Sequence, residues 1–355
     1  MPFSLRSILK PGLLLLASLL YYSPAVQAAP SGKLLYGMHC ASCHGHNGKG
    51  GMGVPLALDS FQGSVSDDYL KKTIRFGRPG RVMPGFTHLS DAQIKAIVKH
   101  VRSFSSATPL QDSGLLVSGN VKRGKELYAQ RCASCHGANG EGGKGTGVTF
   151  SRPRDLPIIA PGLNNSGFLS AASDSLIKST LMNGREGTPM QSFLKQGMTE
   201  QDIDDVVSFI RSYETRTATK TPQKNPDEKA VIIMDSPHDL KTTIAQVKSA
   251  AVAKNFRIIR TQELEQGLVE KGKENKNEVI VFFCNFETLN KVLAIDPRLG
   301  LFLPCRVTIV EKAGKVQVMS INPRYLSALY NNAELDAACD EMYNTYIEII
   351  EEATL

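Results

Sequence analysis

The sequence predicts a multidomain chain: two small all-α domains followed by a small α+β domain. Three observations carry this expectation. A stretch of sequence recurs with matching flanks ninety-two positions later, and apolar residues at helical spacing close each copy. After residue 229 the pattern changes to short apolar runs that alternate with amphipathic stretches. At 355 residues the chain is also too long for one ordinary core.

Residues 1–28 read as an export signal. Arg6 and Lys10 form a basic start, residues 13–20 an apolar run, and Val26-Gln27-Ala28 a small-x-small cleavage pattern. The competing reading is an uncleaved anchor, but the apolar stretch is short against the roughly 20 residues a membrane span needs. No later stretch is long and apolar enough to cross a bilayer. A soluble mature protein in the periplasm is expected.

The first repeat domain is expected at residues 31–107 and the second at 118–215. Gly32-Lys33-Leu34-Leu35-Tyr36 leads into Cys40-Ala41-Ser42-Cys43-His44-Gly45. Gly124-Lys125-Glu126-Leu127-Tyr128 leads into Cys132-Ala133-Ser134-Cys135-His136-Gly137. Downstream, the Gly-Arg turn ending in Met83 matches the one ending in Met190, at the longer offset of 107. The second copy therefore carries extra residues, expected in a loop over residues 142–161. Ser90-Asp91-Ala92-Gln93 and Thr199-Glu200-Gln201-Asp202 then open the closing helices with an N-cap signature. Val98, Val101 and Phe104 continue the first, and Val207, Ile210 and Tyr213 the second. Residues 216–229, rich in Thr, Lys, Pro and Asn, read as a linker.

Cys-x-x-Cys-His is a demanding arrangement. Two thiols three positions apart can form thioethers with the two vinyl groups of one haem, and the adjacent histidine is then placed to ligate the iron. A thioredoxin-like pair would sit beside a βαβ pattern, and a zinc site would need a second ligand pair at knuckle spacing. Neither is present, so two covalently bound haem c groups are expected: one on Cys40, Cys43 and His44, the other on Cys132, Cys135 and His136. Met83 and Met190 occupy equivalent repeat positions and are the expected sixth ligands, which would raise the reduction potential. Gap-filling core methionines are the alternative. His88 and His100 have no histidine counterpart in the other copy, while His39 and His46 sit beside the attachment loop. Met38, Met52, Met182 and Met198 likewise lack counterparts.

On these motifs, residues 31–215 resemble class I cytochromes c in tandem and are similar to the two-haem cytochromes of the c-four type. The resemblance implies an all-α fold around each haem, low-spin iron and electron entry at an exposed haem edge. The insertion in the second copy departs from internal symmetry and implies two different haem environments.

The third domain, residues 230–355, is expected to form a sheet, antiparallel or mixed, covered by helices on one face. Strands are expected over 230–234, 256–260 and 278–285, with a hairpin around Ala313-Gly314. Helices are expected over 239–254, 287–294 and 334–351, the first turning Ile244, Val247, Ala251 and Val252 inward. Val279-Ile280-Val281-Phe282-Phe283-Cys284-Asn285, Leu303-Pro304-Cys305-Arg306-Val307 and Asn322-Pro323-Arg324-Tyr325-Leu326 resemble the family known as domain of unknown function 302. That resemblance implies a small, often self-associating α+β fold and no established chemistry. Cys339 lies on an apolar helical stripe and reads as a core thiol. Cys284 and Cys305 are either a structural disulfide, two buried thiols, or a redox-active or sulfur-binding pair. His238, Arg298 and Arg324 form no recognisable catalytic set.

A formal charge of +7 could steer acidic partners or anionic substrates. No Lys/Arg cluster is interleaved with aromatics, so nucleic acid is not an expected partner. The leading expectation is a periplasmic carrier that passes single electrons between a redox protein donor and acceptor. Its third domain would dock a partner or hold a homodimer. The alternative is an oxidoreductase whose third domain oxidises a small compound, a sulfur compound being one candidate, through Cys284 and Cys305 while the haems carry the electrons away. A third reading is a redox sensor whose association changes with haem state.

Overall fold

A computed structural model of the chain describes residues 31–144, 159–217 and 229–355. The expected export signal, most of the expected insertion loop and most of the expected linker lie outside the described residues.

The two repeat domains are built from corresponding helices. In the first, helix Gly32–His39 leads through the short turn Ala41–His44 to helices Asp59–Ser64, Asp67–Phe76 and Asp91–Arg102. In the second, Val121–Arg131 and Ala133–His136 lead to Ser166–Ala171, Asp174–Asn183 and Glu200–Arg211. The closing helices begin where the sequence signals them. Ser90 with Gln93 and Thr199 with Asp202 form complete capping boxes, each satisfying two otherwise unpaired backbone donors. Phe104 and Tyr213 fall beyond the ends of these helices, Tyr213 opening the short helix Tyr213–Thr217.

Each opening helix crosses its closing helix at a glycine. A Cβ on Gly32 would stand 2.0 Å from the carbonyl oxygen of Ala96, and one on Gly124 would stand 1.9 Å from that of Asp205. One turn on, Tyr36 and Tyr128 are buried, and their hydroxyls donate to the Gly45 and Gly137 carbonyls at 2.7 and 2.9 Å. A matching pair of arginines ties each closing helix to the middle of its domain. Arg102 donates to the Gln62 and Val65 carbonyls and pairs with Asp67. Arg211 donates to the Leu169 and Ala172 carbonyls and pairs with Asp174.

The two domains share one continuous apolar core and exchange side chains reciprocally. Arg78 of the first donates to the Gly167 carbonyl of the second at 3.1 Å and lies over the Phe168 ring. Its counterpart Arg185 lies over the Phe61 ring of the first, 5.4 Å from the centroid.

The third domain is a five-stranded antiparallel sheet of β1 (Val231–Ser236), β2 (Arg257–Glu263), β3 (Glu278–Cys284), β4 (Cys305–Lys312) and β5 (Lys315–Ile321), in the order β1-β5-β4-β3-β2. Alternation along the strands turns Val281, Phe283, Val307, Ile309, Val316 and Val318 to one face. Helices Leu240–Ala253 and Asp336–Thr354 pack against that face with Val247, Ala250, Ala251, Tyr346, Ile349 and Ile350. Val252, expected inward, is exposed. The buried stripe runs through Thr243, Val247, Ala250 and Ala251, and one further residue turns about 100° away from it. A smaller apolar cluster of Val292, Leu299, Leu326, Tyr330, Leu335 and Cys339 supports the turn before the last helix.

Candidate functional site

The eight residues singled out in the two repeats converge. Cys40, Cys43, His44 and Met83 of the first domain line the same cavity of about 800 Å³ as Cys132, Cys135, His136 and Met190 of the second. Its remaining walls are mostly apolar, among them Phe61, Ile97, Val98, Phe168, Leu181 and Ile210.

Each attachment turn fixes its histidine. Nδ1 of His44 lies 2.8 Å from the Val54 carbonyl, and Nδ1 of His136 lies 2.9 Å from the Pro161 carbonyl. A carbonyl only accepts, so Nδ1 carries the proton in both rings and the Nε2 lone pair is left for a metal. Burial lowers both histidine pKa values, which keeps the rings neutral, as an iron ligand must be. Gly53 packs so closely on the His44 ring that a Cβ there would stand 2.7 Å from it. Burial, reinforced by the neighbouring Cys43 and Cys135 thiols, pushes Cys40 up to about 11 and Cys132 up to about 12.

The methionines arrive on loops of common plan. Arg78 N–H donates to the Met83 carbonyl at 2.8 Å, and Arg185 N–H donates to the Met190 carbonyl at 2.6 Å. Gly80 and Gly187 both take positive φ, 71° and 77°. Thiols, neutral imidazoles, thioethers, apolar walls and the Arg185 guanidinium on the cavity suit a large, flat, apolar group with anionic edges. The residues therefore fit haem c. Cys40/Cys43 and Cys132/Cys135 would hold it covalently, and His44 with Met83 and His136 with Met190 would supply its iron ligands. When bound, such a group supplies a one-electron couple, which thioether ligation moves to higher potential.

The histidines and methionines without counterparts take other places. His39 lines the rim of the cavity against Phe86 and His88, and His100 packs on Tyr36 and Phe104. Met52 also lines the cavity, beside Gly53, while Met198 is buried in the core and Met38 is exposed.

In the third domain β3 and β4 are neighbours, and Cys305 pairs in register with Phe283, beside Cys284. Both are free thiols. A hydrogen bond from Cys284 and one from Tyr346 favour the Cys305 thiolate against the opposing effect of burial, lowering its pKa to about 7. The same bond and burial push Cys284 up. Cys339 is buried as expected. Arg298 forks onto the buried Asp296 and Arg324 pairs with Asp340, so both arginines have structural partners.

Sequence reasoning missed a set of residues that join the third domain to the first. Asn331 bonds the Met83 loop, and Glu334 pairs with Arg81 at the cavity wall. Asn331-Asn332 ahead of a helix is a turn signal, but nothing local points to a partner some 250 residues away.

Comparisons with known proteins agree with this division. Residues 27–101 match the family model for cytochrome c oxidase, cbb3-type, subunit III, residues 121–214 that for cytochrome c, and residues 232–353 that for domain of unknown function DUF302. Among curated relatives, the cbb3-type cytochrome c oxidase subunit FixP of Azorhizobium caulinodans is 29% identical over 171 residues, covering 45% of this chain and 52% of that protein. Subunit CcoP of Azospirillum sp. (strain B510) is 28% identical over 176 residues, covering 45% and 54%. The chain thus spans about half the length of these relatives. A solved DUF302 protein from Bacillus stearothermophilus aligns with 36% of this chain and 99% of its own, at 19% identity and a TM-score of 0.33. No helix among the described residues is long and apolar enough to cross a membrane. The chain carries two cytochrome c domains, of the kind that holds covalent haem c, followed by a domain of the DUF302 family.

Proposed function

We propose that the chain is a periplasmic dihaem c-type cytochrome that passes single electrons between a protein donor and a protein acceptor. The observation that carries this reading is the common cavity, lined by two equivalent Cys-Cys-His-Met sets. Two groups held there would share one largely apolar cavity, and ligation of each iron by a histidine and a methionine would leave no open position for substrate. The similarity to cbb3-type oxidase subunits supports a place in respiratory electron transfer, with an oxidase-type complex as one class of acceptor. The third domain serves the carrier by packing on the first haem domain, and its further role is to dock a partner or a second copy. The test is reduction of the oxidised full-length protein under anaerobic conditions. Rapid reduction by a small redox protein, with no response to thiosulfate, sulfite or sulfide, is expected. Reduction by the small compounds alone would reject the carrier reading.

A second reading rests on Cys305. The hydrogen bond from Cys284 favours the Cys305 thiolate, a nucleophile that could bind sulfide as a persulfide, the new S–S bond releasing a proton to water and two electrons, one to each ferric haem. Under this reading, sulfur compounds reduce the native protein and fail with Cys305→Ser. Equal responses from both proteins would end it.

A further inference from the structure

We propose that Asn331 of the third domain is a positioning residue for Met83, holding the first methionine loop in its ligand-presenting shape; this rests on the reading of Met83 as an iron ligand. The two loops share a backbone plan but not their support. Each loop accepts one bond from the other haem domain, Ser60 Oγ onto the Glu186 carbonyl at 2.7 Å and Asn165 Nδ2 onto the Pro79 carbonyl at 2.8 Å. The Met190 loop, however, is closed by its own residues: Met190 N–H donates to Thr188 Oγ1 at 3.1 Å, and that hydroxyl donates to the Arg185 carbonyl at 2.7 Å. Arg81 takes the place of Thr188 in the first loop and has no hydroxyl to do this.

Met83 N–H turns instead to the Arg81 carbonyl at 2.8 Å, and the donor to the Arg78 carbonyl comes from the third domain. Asn331 Nδ2 donates to the Arg78 carbonyl at 3.0 Å and to the Met83 carbonyl at 2.9 Å, and Asn331 Oδ1 accepts from Gly80 N–H at 2.8 Å. The Asn331 carbonyl accepts from Val82 N–H at 2.6 Å, and Ala333 N–H donates to the Gly80 carbonyl at 3.0 Å. One asparagine thus closes the loop from both ends, using both side-chain donors and the side-chain acceptor.

The loop needs this outside support because Val82 sits at φ 70°, a conformation that a β-branched residue avoids. The second copy has Pro189 at that place, whose ring excludes positive φ. The turn bearing Asn331 is itself braced. Buried Asp296 accepts from Arg298 and from Asn332 Nδ2, Arg298 donates to the Tyr330 carbonyl, and Tyr330 returns a bond to the Arg298 carbonyl. Arg81 completes the join by pairing with Glu334 and donating to the Gly143 carbonyl of the second domain at 2.6 Å.

The test uses the full-length, haem-loaded protein and three variants: Met83→Ala, Asn331→Gly and Asn331→Asp. Glycine accepts the positive φ at position 331 and removes only the side-chain bonds. Aspartate keeps shape and acceptor but turns two donors into repulsion against the Arg78 and Met83 carbonyls. Two quantities are read: the far-red band of methionine-ligated ferric haem, and hydrogen exchange at the Gly80 and Val82 amides. Met83→Ala is expected to remove about half of the band. Both Asn331 variants should weaken that same half, aspartate at least as much as glycine, and speed exchange at the two amides by tenfold or more. An unchanged band and unchanged exchange in both Asn331 variants would overturn the proposal while leaving Met83 as ligand. A full band in Met83→Ala would instead remove the ligand reading, and the proposal with it.

Discussion

The two methionine loops began as copies of one another and now depend on different things. The loop ending in Met190 closes on its own Thr188 hydroxyl and carries a proline before the methionine. The loop ending in Met83 puts a valine at φ 70° and draws its closure from Asn331, in another domain. A side chain held in that region costs about 1–3 kcal/mol and persists only where its surroundings over-determine it. A duplicated site can thus keep the same candidate residues while one copy becomes answerable to a third domain.

Removing haem attachment from one copy is the largest break available. Cys40→Ser with Cys43→Ser should leave one covalent haem per chain, and Cys132→Ser with Cys135→Ser should do the same. The mass of the denatured protein counts them. Two haems surviving in either double variant would refute the assigned attachment sites.

Next come the helix crossings. Alanine at Gly32 or Gly124 forces a Cβ against a backbone carbonyl and should cost about 1–3 kcal/mol by overpacking. Gly124→Ala should lower the melting temperature more, because its Cβ would also stand 3.0 Å from Phe209, against 3.3 Å to His100 at Gly32. Thermal melting followed by circular dichroism checks both.

Acidification should separate the two loops. Burial alone would raise the Asp296 pKa, but donors from Arg298 and Asn332 outweigh it and hold the carboxyl below its ordinary 3.8. Its contribution is therefore complete above pH 3.8 and is lost as pH falls through the depressed value. Amide exchange at Gly80 and Val82, compared between pH 5 and pH 3 after correction for intrinsic rates, should show the first loop loosening before the Arg185–Met190 loop. Equal loosening of both loops would argue against the Asp296 brace.

The smallest effect concerns Cys305. Its alkylation rate should rise with pH through a midpoint near 7, while the Cys284 thiol, pushed up by burial and its bond to Cys305, should stay unreactive. A Cys305 midpoint well above 8 would remove the basis of the sulfur-compound reading.

The candidate attachment sites were legible because covalent chemistry demands adjacent residues, and a repeat at constant offset shows the demand twice. The closing helices were legible because Ser90/Gln93 and Thr199/Asp202 satisfy backbone donors within four residues. The β4–β5 hairpin followed from Ala313-Gly314, whereas the pairing of β1 with β5 joins strands about 80 residues apart and left no local mark. The Val252 error shows how a run such as Ala250-Ala251-Val252 blurs a helical stripe. Arg78, Arg185 and Asn331 were opaque for a further reason. Their roles lie in contacts between domains, and a polar side chain in a turn looks alike whether it meets water or a distant carbonyl.

Whether the protein holds two haems ligated by histidine and methionine that exchange single electrons is decided by a spectroelectrochemical titration of the full-length protein. Two one-electron steps are expected, with low-spin spectra throughout and loss of part of the far-red band at each step. A single step accounting for one haem per chain, or a high-spin ferric spectrum in the oxidised protein, would contradict that expectation.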